Sequence, residues 1–364
     1  MKIFFIQTAS MIDHIIKINI ENYKNLSYSN ILLKLSDFGY FTLFGFKQKY
    51  LFNNINNLEF FMNTANSKFI QTKWAEENNF KYSEKNWKKE ILAAQIEKFQ
   101  PDVIYTGNYV LFTKELKKYL PKGKLYALWN ASPMPEGIDL SHFDVGISFN
   151  KVYHDHLKKR GISNIEYNSF YIDPEMKNRL DSMNLVQDID IAFTGRYAPM
   201  FKDRNQFLYD IYNAFKKDYN VQYYLLTGKR FKGLIPMLPW KLLKAYNKPV
   251  FLEDMFKVFN RSKIVLNTHS NITGEVKGNM RVYEALGSGS FMLSDDGIYP
   301  EHLIAGEDFV TYKNNKDMIE KISYYLKNDK EREEIALNGH KKISKYYNTE
   351  IGSHSLEKIF GKYL

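Results

Sequence analysis

Residues Asn267–Ser294 read NTHSNITGEVKGNMRVYEALGSGSFMLS, and the fold of the chain is decided here. The five residues Lys263–Asn267, KIVLN, form a short apolar run that suits a buried parallel strand. A polar loop with Gly274 and Gly278 follows it. Asn279–Leu286 then has helical spacing, with Met280, Val282, Tyr283 and Leu286 as apolar positions. Gly287 and Gly289 stop that helix, and Phe291-Met292-Leu293 opens the next strand. The helix carries Arg281 in its first turn and Glu284 one turn on. Backbone N–H groups at a helix start favour an anion. An arginine there adds a forked donor that matches phosphate, and a nearby carboxylate accepts hydrogen bonds from a diol. Such a pair at such a place suits a ligand with phosphates and a sugar. An Arg and a Glu three apart on a helix also form plain surface ion pairs.

The surrounding chain adds context. In order it carries SKIVLNTH, RVYEALGSGSFMLSD, EHLIAGEDFVTY and NGHKKISKYYNTE. This series resembles the donor-binding domain of GT-B glycosyltransferases, most closely the spore-maturation CgeB-like group with its group 1 (family-4-type) C-terminal domain. The likeness covers the chain from Ile189 onward well. The first half matches more loosely, through QTKWAEE, QPDVIYTG and FYIDP.

Composition narrows the classes. The 364 residues allow two domains of ordinary size, and 44% hydrophobic content supports sizeable cores. There is no cysteine, hence no disulfide framework and no thiolate metal site. A net charge of +10 favours acidic partners such as nucleotide sugars, anionic lipid headgroups or nucleic acid. The richness in Lys and Asn also fits mere genome composition. No stretch approaches the roughly 20 apolar residues that span a bilayer. Gln7 and Asp13 break the first apolar run, so a signal peptide is not expected. A cytoplasmic protein is expected, in one reading bound to the inner face of the cell membrane.

In the first half, Lys2–Ile6 reads as the first strand of an α/β domain. Many GT-B enzymes carry a glycine-rich loop next; QTASMIDH has no glycine, and Ser10 is the acceptor-side candidate there. Leu26–Tyr40 reads as a helix and Phe41–Phe46 as a strand. Trp74 is expected to anchor the core. Lys85–Phe99 is an amphipathic helix ended by Pro101, before the strand at Val103. Lys124–Trp129 is a strand with NASPMPEG at its carboxyl end, where ligands of open parallel sheets sit. Asn130, Ser132 and Glu136 are candidates there. Some retaining relatives place a histidine near this point. Here Trp129 and Asn130 stand instead, and Asn130 is the catalytic candidate of this domain, with Ser132 and Glu136 on the acceptor side. A plain turn is the other reading. His154 and His156 are two apart on a helix and point to different faces, which makes poor metal co-ligands.

In the second half, polar Lys177–Asp188 is expected to be a linker. Ile189–Thr194 starts the second domain, and GRYAPMFK follows. Gly195-Arg196 with Lys202 resembles the basic pair that holds the donor diphosphate in family-4-type enzymes. A departing nucleoside diphosphate gains charge, and fixed cations stabilise it without a metal. The resemblance further places two glutamates eight positions apart. Glu284 matches the second, which reaches the ribose. The first falls on Val276, and Glu275, one residue off, is the candidate for the catalytic sugar contact. Asn267, His269, Gly274, Lys277, Gly278 and Asn279 complete the donor-sugar or cleft set. Residues 230–246 mix Lys and Arg with Phe231, Trp240 and Leu242, which fits either an anionic membrane surface or an apolar face packed inside. Asp295-Asp296 reads as a turn.

The expected architecture is α/β: two Rossmann-like domains facing each other across a cleft. Residues 1–176 bind the acceptor, 177–188 link, 189–346 bind a nucleoside-diphosphate sugar, and 347–364 form a helix returning to the first domain. Arg196, Lys202 and Arg281 are assigned to the diphosphate and Glu284 to the ribose. The implied reaction moves a sugar to a bacterial surface-glycan or lipid-linked acceptor. It retains the anomeric configuration and needs neither a cofactor nor a metal. A sugar-nucleotide 2-epimerase of the same architecture is one alternative. A non-catalytic glycan- or nucleic-acid-binding relic is another, although no base-reading motif is present.

Overall fold

A computed structural model describes residues 1–7, 16, 20–36, 58–132, 134–230, 235–269 and 274–364. Ser10, the expected helix end at 37–40 and the expected strand at 41–46 lie outside the described residues. The chain divides into two compact units, Met1–Tyr171 with Thr349–Leu364, and Ile172–Asn348.

The first unit holds a parallel sheet of β1 (Lys2–Gln7), β2 (Glu59–Thr64), β3 (Val103–Thr106), β4 (Leu125–Trp129), β5 (Val145–Ser148) and β6 (Asn164–Tyr167). Among the described residues the order is β2-β1-β3-β4-β5-β6. Every residue of β3, β4 and β5 is buried. That is why VIYT, LYALW and VGIS read as unbroken apolar runs: both faces of a parallel sheet are covered. The helix Trp87–Phe99 ends at Gln100, which takes a left-handed φ of 51°, and Pro101 prevents its continuation. Trp74 is 6% exposed, in the core as expected. The helix Thr349–Gly361 belongs to this unit. Phe360 packs edge-on to Tyr105 at 5.5 Å, Ser355 Oγ donates to Asn168 Oδ1 at 2.9 Å, and Lys362 pairs with Glu166 at 2.8 Å.

The second unit holds β7 (Ile189–Tyr197), β8 (Val221–Thr227), the hairpin strands β9 (Lys229–Arg230) and β10 (Ile235–Pro236), β11 (Tyr246–Asn247), β12 (Ser262–Leu266), β13 (Met292–Asp295) and β14 (Val310–Tyr312). Its main sheet runs β11-β8-β7-β12-β13-β14, all pairs parallel. Chain order along the sheet therefore reverses between β7 and β12. In open α/β sheets the ligand crevice lies beyond the carboxyl ends of the strands at that switch point. Phe193, Leu208, Tyr223, Leu266 and Leu293 fill the core beneath it.

One stretch departs from expectation. Within 177–188 lies most of the helix Glu175–Ser182, which buries Met176 and Leu180 in the second unit. Two apolar residues four apart are enough to seat a short helix on one face, though too few to show as a periodicity.

Candidate functional site

The carboxyl edge of the second sheet carries two networks. The first begins where β12 ends. Asn267, 3% exposed, exchanges amide hydrogen bonds with Asn279: its Nδ2 donates to Asn279 Oδ1 at 3.2 Å, and Asn279 Nδ2 donates back at 3.1 Å. Asn267 Nδ2 also donates to Ser294 Oγ at 3.0 Å. The His269 side chain is 1% exposed. The N–H groups of Gly278 and Asn279 both point at its Nε2, at 3.0 and 3.2 Å. That nitrogen therefore accepts, the ring proton sits on Nδ1, and Nδ1 donates to Asp295 Oδ1 at 2.7 Å. The His269 N–H meets the same oxygen at 3.0 Å.

Lys277 closes the other side, with Nζ 2.9 Å from Asp295 Oδ2 and 3.1 Å from the Gly274 carbonyl. Burial pushes the Asp295 carboxyl up, but the His269 and Lys277 contacts outweigh it and hold the group well below the usual carboxylate range. Gly278, at φ 123°, supplies a backbone conformation that side chains disfavour, which turns its N–H and that of Asn279 onto one histidine nitrogen. The loop ahead of the helix Met280–Gly287 is thus fixed by a His–Asp–Lys cluster. Asp295, whose place in a doubled aspartate suggests only a turn, is the hub of this cluster.

The second network lies along β7. Arg281 Nη1 pairs with Glu284 Oε2 at 2.6 Å, Arg281 Nη2 reaches the Thr194 carbonyl at 3.4 Å, and its guanidinium stands 4.9 Å from the Phe259 ring centroid. Glu284 is 3% exposed, so this is a buried pair and not the surface pair that i,i+3 spacing alone suggests. Burial pulls the Arg281 guanidinium down and pushes the Glu284 carboxyl up, and each partner's charge opposes those shifts. Gly195 is needed for space: a Cβ there would meet the Phe193 ring at 2.8 Å. Arg196 and Lys202 are exposed, at the end of β7 and the start of the helix Lys202–Phe215.

The remaining candidates stand apart from these networks, save for the Gly274 carbonyl that meets Lys277. Glu275 and Gly274 are exposed, and the Glu275 carbonyl accepts from the Ile298 N–H at 2.8 Å. In the first unit Asn130 is 3% exposed and its Nδ2 donates to the Ser132 carbonyl at 2.6 Å, which ties Asn130 to the residue two positions on. Ser132 and Glu136 are exposed in that segment. Among the described residues no group of three or more His, Asp or Glu is placed to hold a metal ion. His154 instead bonds the Ser148 carbonyl at 3.0 Å. No helix among the described residues is long and apolar enough to cross a membrane.

Among the described residues, two parallel six-stranded sheets with helices make an α/β architecture of the GT-B fold. Residues 204–354 match the family model described as glycosyl transferase-like. Solved structures agree over the whole length. A glycosyltransferase from Rickettsia africae has a TM-score of 0.57 at 10% identity, covering 99% of this chain and 98% of that one. Sucrose-phosphate synthase from Thermosynechococcus elongatus has a TM-score of 0.57 at 10% identity, with the same coverage. HepE from Anabaena, solved with UDP and glucose, has a TM-score of 0.55 at 12% identity, covering 100% of both chains. No curated protein matches the sequence. The chain shares the fold of these GT-B proteins, and its residues 204–354 match a family model described as glycosyl transferase-like.

Proposed function

We propose that the protein transfers a sugar from a nucleoside-diphosphate sugar to a bacterial surface-glycan or lipid-linked acceptor. The observation that carries this reading is the buried Arg281–Glu284 pair at the start of the helix Met280–Gly287, beside the β7/β12 switch point. Arg281 has donors to spare for a phosphate, since a guanidinium carries five. Glu284 offers a carboxylate to a ribose diol. Arg196 and Lys202 supply exposed cations at the same end of the unit for the diphosphate, whose negative charge grows as the sugar departs. Glu275 is the catalytic sugar contact in this reading, with Gly274, Lys277 and Gly278 lining the sugar. Their backbone is held in place by the His269 cluster. Asn130 serves the first unit as the second catalytic candidate, with Ser132 and Glu136 facing the acceptor.

The transfer retains the anomeric configuration and uses cations of the chain in place of a metal. The test is a titration with UDP, GDP, ADP and dTDP, followed by transfer assays with the matching sugar nucleotides, with and without EDTA. Tight binding of one nucleotide, lost in Glu284→Ala, supports the donor seat. Wild-type affinity in both Glu284→Ala and Arg281→Ala sinks it.

A lipid-linked acceptor is supported by residues 235–246. Leu238 and Leu242 pack into the core, yet Trp240 between them is 85% exposed, next to Lys241. An exposed indole flanked by lysine suits an anionic bilayer surface, which would keep the enzyme at the inner face of the membrane.

A further inference from the structure

Arg204 lies in the first turn of the helix Lys202–Phe215. Its guanidinium stands 4.1 Å from the Phe201 ring centroid, and Nη1 reaches the Arg196 carbonyl at 3.4 Å. Its Nε is buried with no hydrogen-bond partner. No ion pair among the described residues includes it, and burial pulls its guanidinium down from its ordinary value. The charges of Tyr312 and Asp295 oppose that pull, but no carboxylate among the described residues pairs with the group directly, and withdrawing a cation from water without an ion-pair partner is costly. Thr194 Oγ1 is likewise buried and unpartnered, in a residue only 5% exposed. The end of β7 therefore holds hydrogen-bonding capacity that the chain does not itself use.

The placement of these groups says what would use it. Arg281 lies on the Thr194 carbonyl and Arg204 on the Arg196 carbonyl. Carbonyls two residues apart on one strand point to the same edge, separated by about 6.6 Å at roughly 3.3 Å per residue. Two guanidinium groups thus stand side by side along one edge of β7, at the switch point of the sheet. Both carbonyl contacts are long, which leaves the forked donors to a better acceptor. Planar forks match phosphate oxygens two at a time.

We propose that Arg204 is a phosphate-binding residue of the donor site, forming with Arg281 a two-arginine clamp for the diphosphate of the sugar nucleotide. This rests on the donor reading above. It goes beyond that reading by assigning the diphosphate to a residue outside the Gly195-Arg196…Lys202 pattern. The clamp grips the charge that departs with the leaving group.

The experiment uses the full chain and calorimetric titration with UDP, GDP, ADP and dTDP, then the nucleoside of the tightest binder. Losing a charge-assisted hydrogen bond costs about 1.5–3 kcal/mol, which is roughly ten- to a hundredfold in affinity. Arg204→Gln should weaken the diphosphate by at least about tenfold and leave the nucleoside within about twofold. Arg204→Lys keeps the charge and stem without the fork, and should fall between. Should Arg204→Gln fail to fold, the lysine variant carries the same comparison. Wild-type diphosphate affinity in the folded variants overturns the proposal. So does an equal loss for nucleoside and diphosphate, which would mark a structural role. If the wild-type chain binds none of the four nucleotides, the donor reading itself fails and this assignment falls with it.

Discussion

Two neighbouring parts of one sheet edge treat their charges in opposite ways. Around Gly278, His269, Asp295 and Lys277 consume one another's hydrogen-bonding capacity. Along β7, Arg196, Lys202 and Arg204 form no ion pair among the described residues, and Arg204 keeps a buried nitrogen unpartnered. The first arrangement suits a scaffold, because a closed network gains nothing from a ligand. The second suits a seat, because an unpaired cation near the surface gains most when an anion arrives. The Arg281–Glu284 pair stands between the two, closed on the Glu284 side and open on the β7 side.

Asp295→Ala should break the scaffold most severely. It strips His269 and Lys277 of their shared partner, and breaking a buried charge pair costs about 3–5 kcal/mol. Asp295 retains 20% side-chain exposure, which places the loss near the lower end. Urea unfolding measures it; a loss under about 1 kcal/mol would mean that the loop is held by something else.

His269→Ala should cost less, about 2 kcal/mol, by leaving the N–H groups of Gly278 and Asn279 unsatisfied. It should also weaken nucleotide binding through the loop. Equal stability of mutant and wild type would remove the scaffold role.

Acid offers a gentler probe. Because the Asp295 carboxyl is held below its unfolded value, its contribution is complete above about pH 5 and is lost progressively as pH falls through the unfolded value near about 4 and below. The wild type should therefore lose more stability than Asp295→Asn between pH 5 and 3, which parallel denaturant titrations would show. Parallel slopes would contradict the pairing.

The smallest effect on the fold should come from Trp240→Ser, within about 0.5 kcal/mol, because the side chain lies almost wholly in solvent. The same variant should reduce flotation with phosphatidylglycerol vesicles. Unchanged flotation would leave the acceptor reading without its membrane contact.

The fold was legible in the chain because its elements carry strong local signals. KIVLN and LYALW are buried almost throughout and read as buried strands, while YYLLT buries Tyr223 and Leu225 on one face and leaves Leu226 exposed on the other. Arg281 and Glu284 stood out because they break the apolar spacing of a short helix between two such strands. Asp295 did not stand out, since a doubled aspartate after a strand looks like a solvated turn. Its role depends on His269, 26 positions away, and no spacing reports that contact. Arg204 was hidden among Lys202, Asp203 and Asn205, where charge at a helix start is ordinary. Only its buried, unpartnered Nε marks it, and that is a property of the folded chain.

The return of Thr349–Gly361 to the first unit has a consequence for how the protein is made. The second unit is a continuous segment, Ile172–Asn348, enclosed between two parts of the first. A ribosome completes it before residues 349–364 appear. The later-numbered unit can therefore close first, while the earlier one waits with the Asn168 and Glu166 side uncovered. Trimming the chain at 348 would accordingly injure the unit that contains Met1 and spare the unit it had just finished. Nascent chains stalled before and after that helix, digested with protease, would report the order directly.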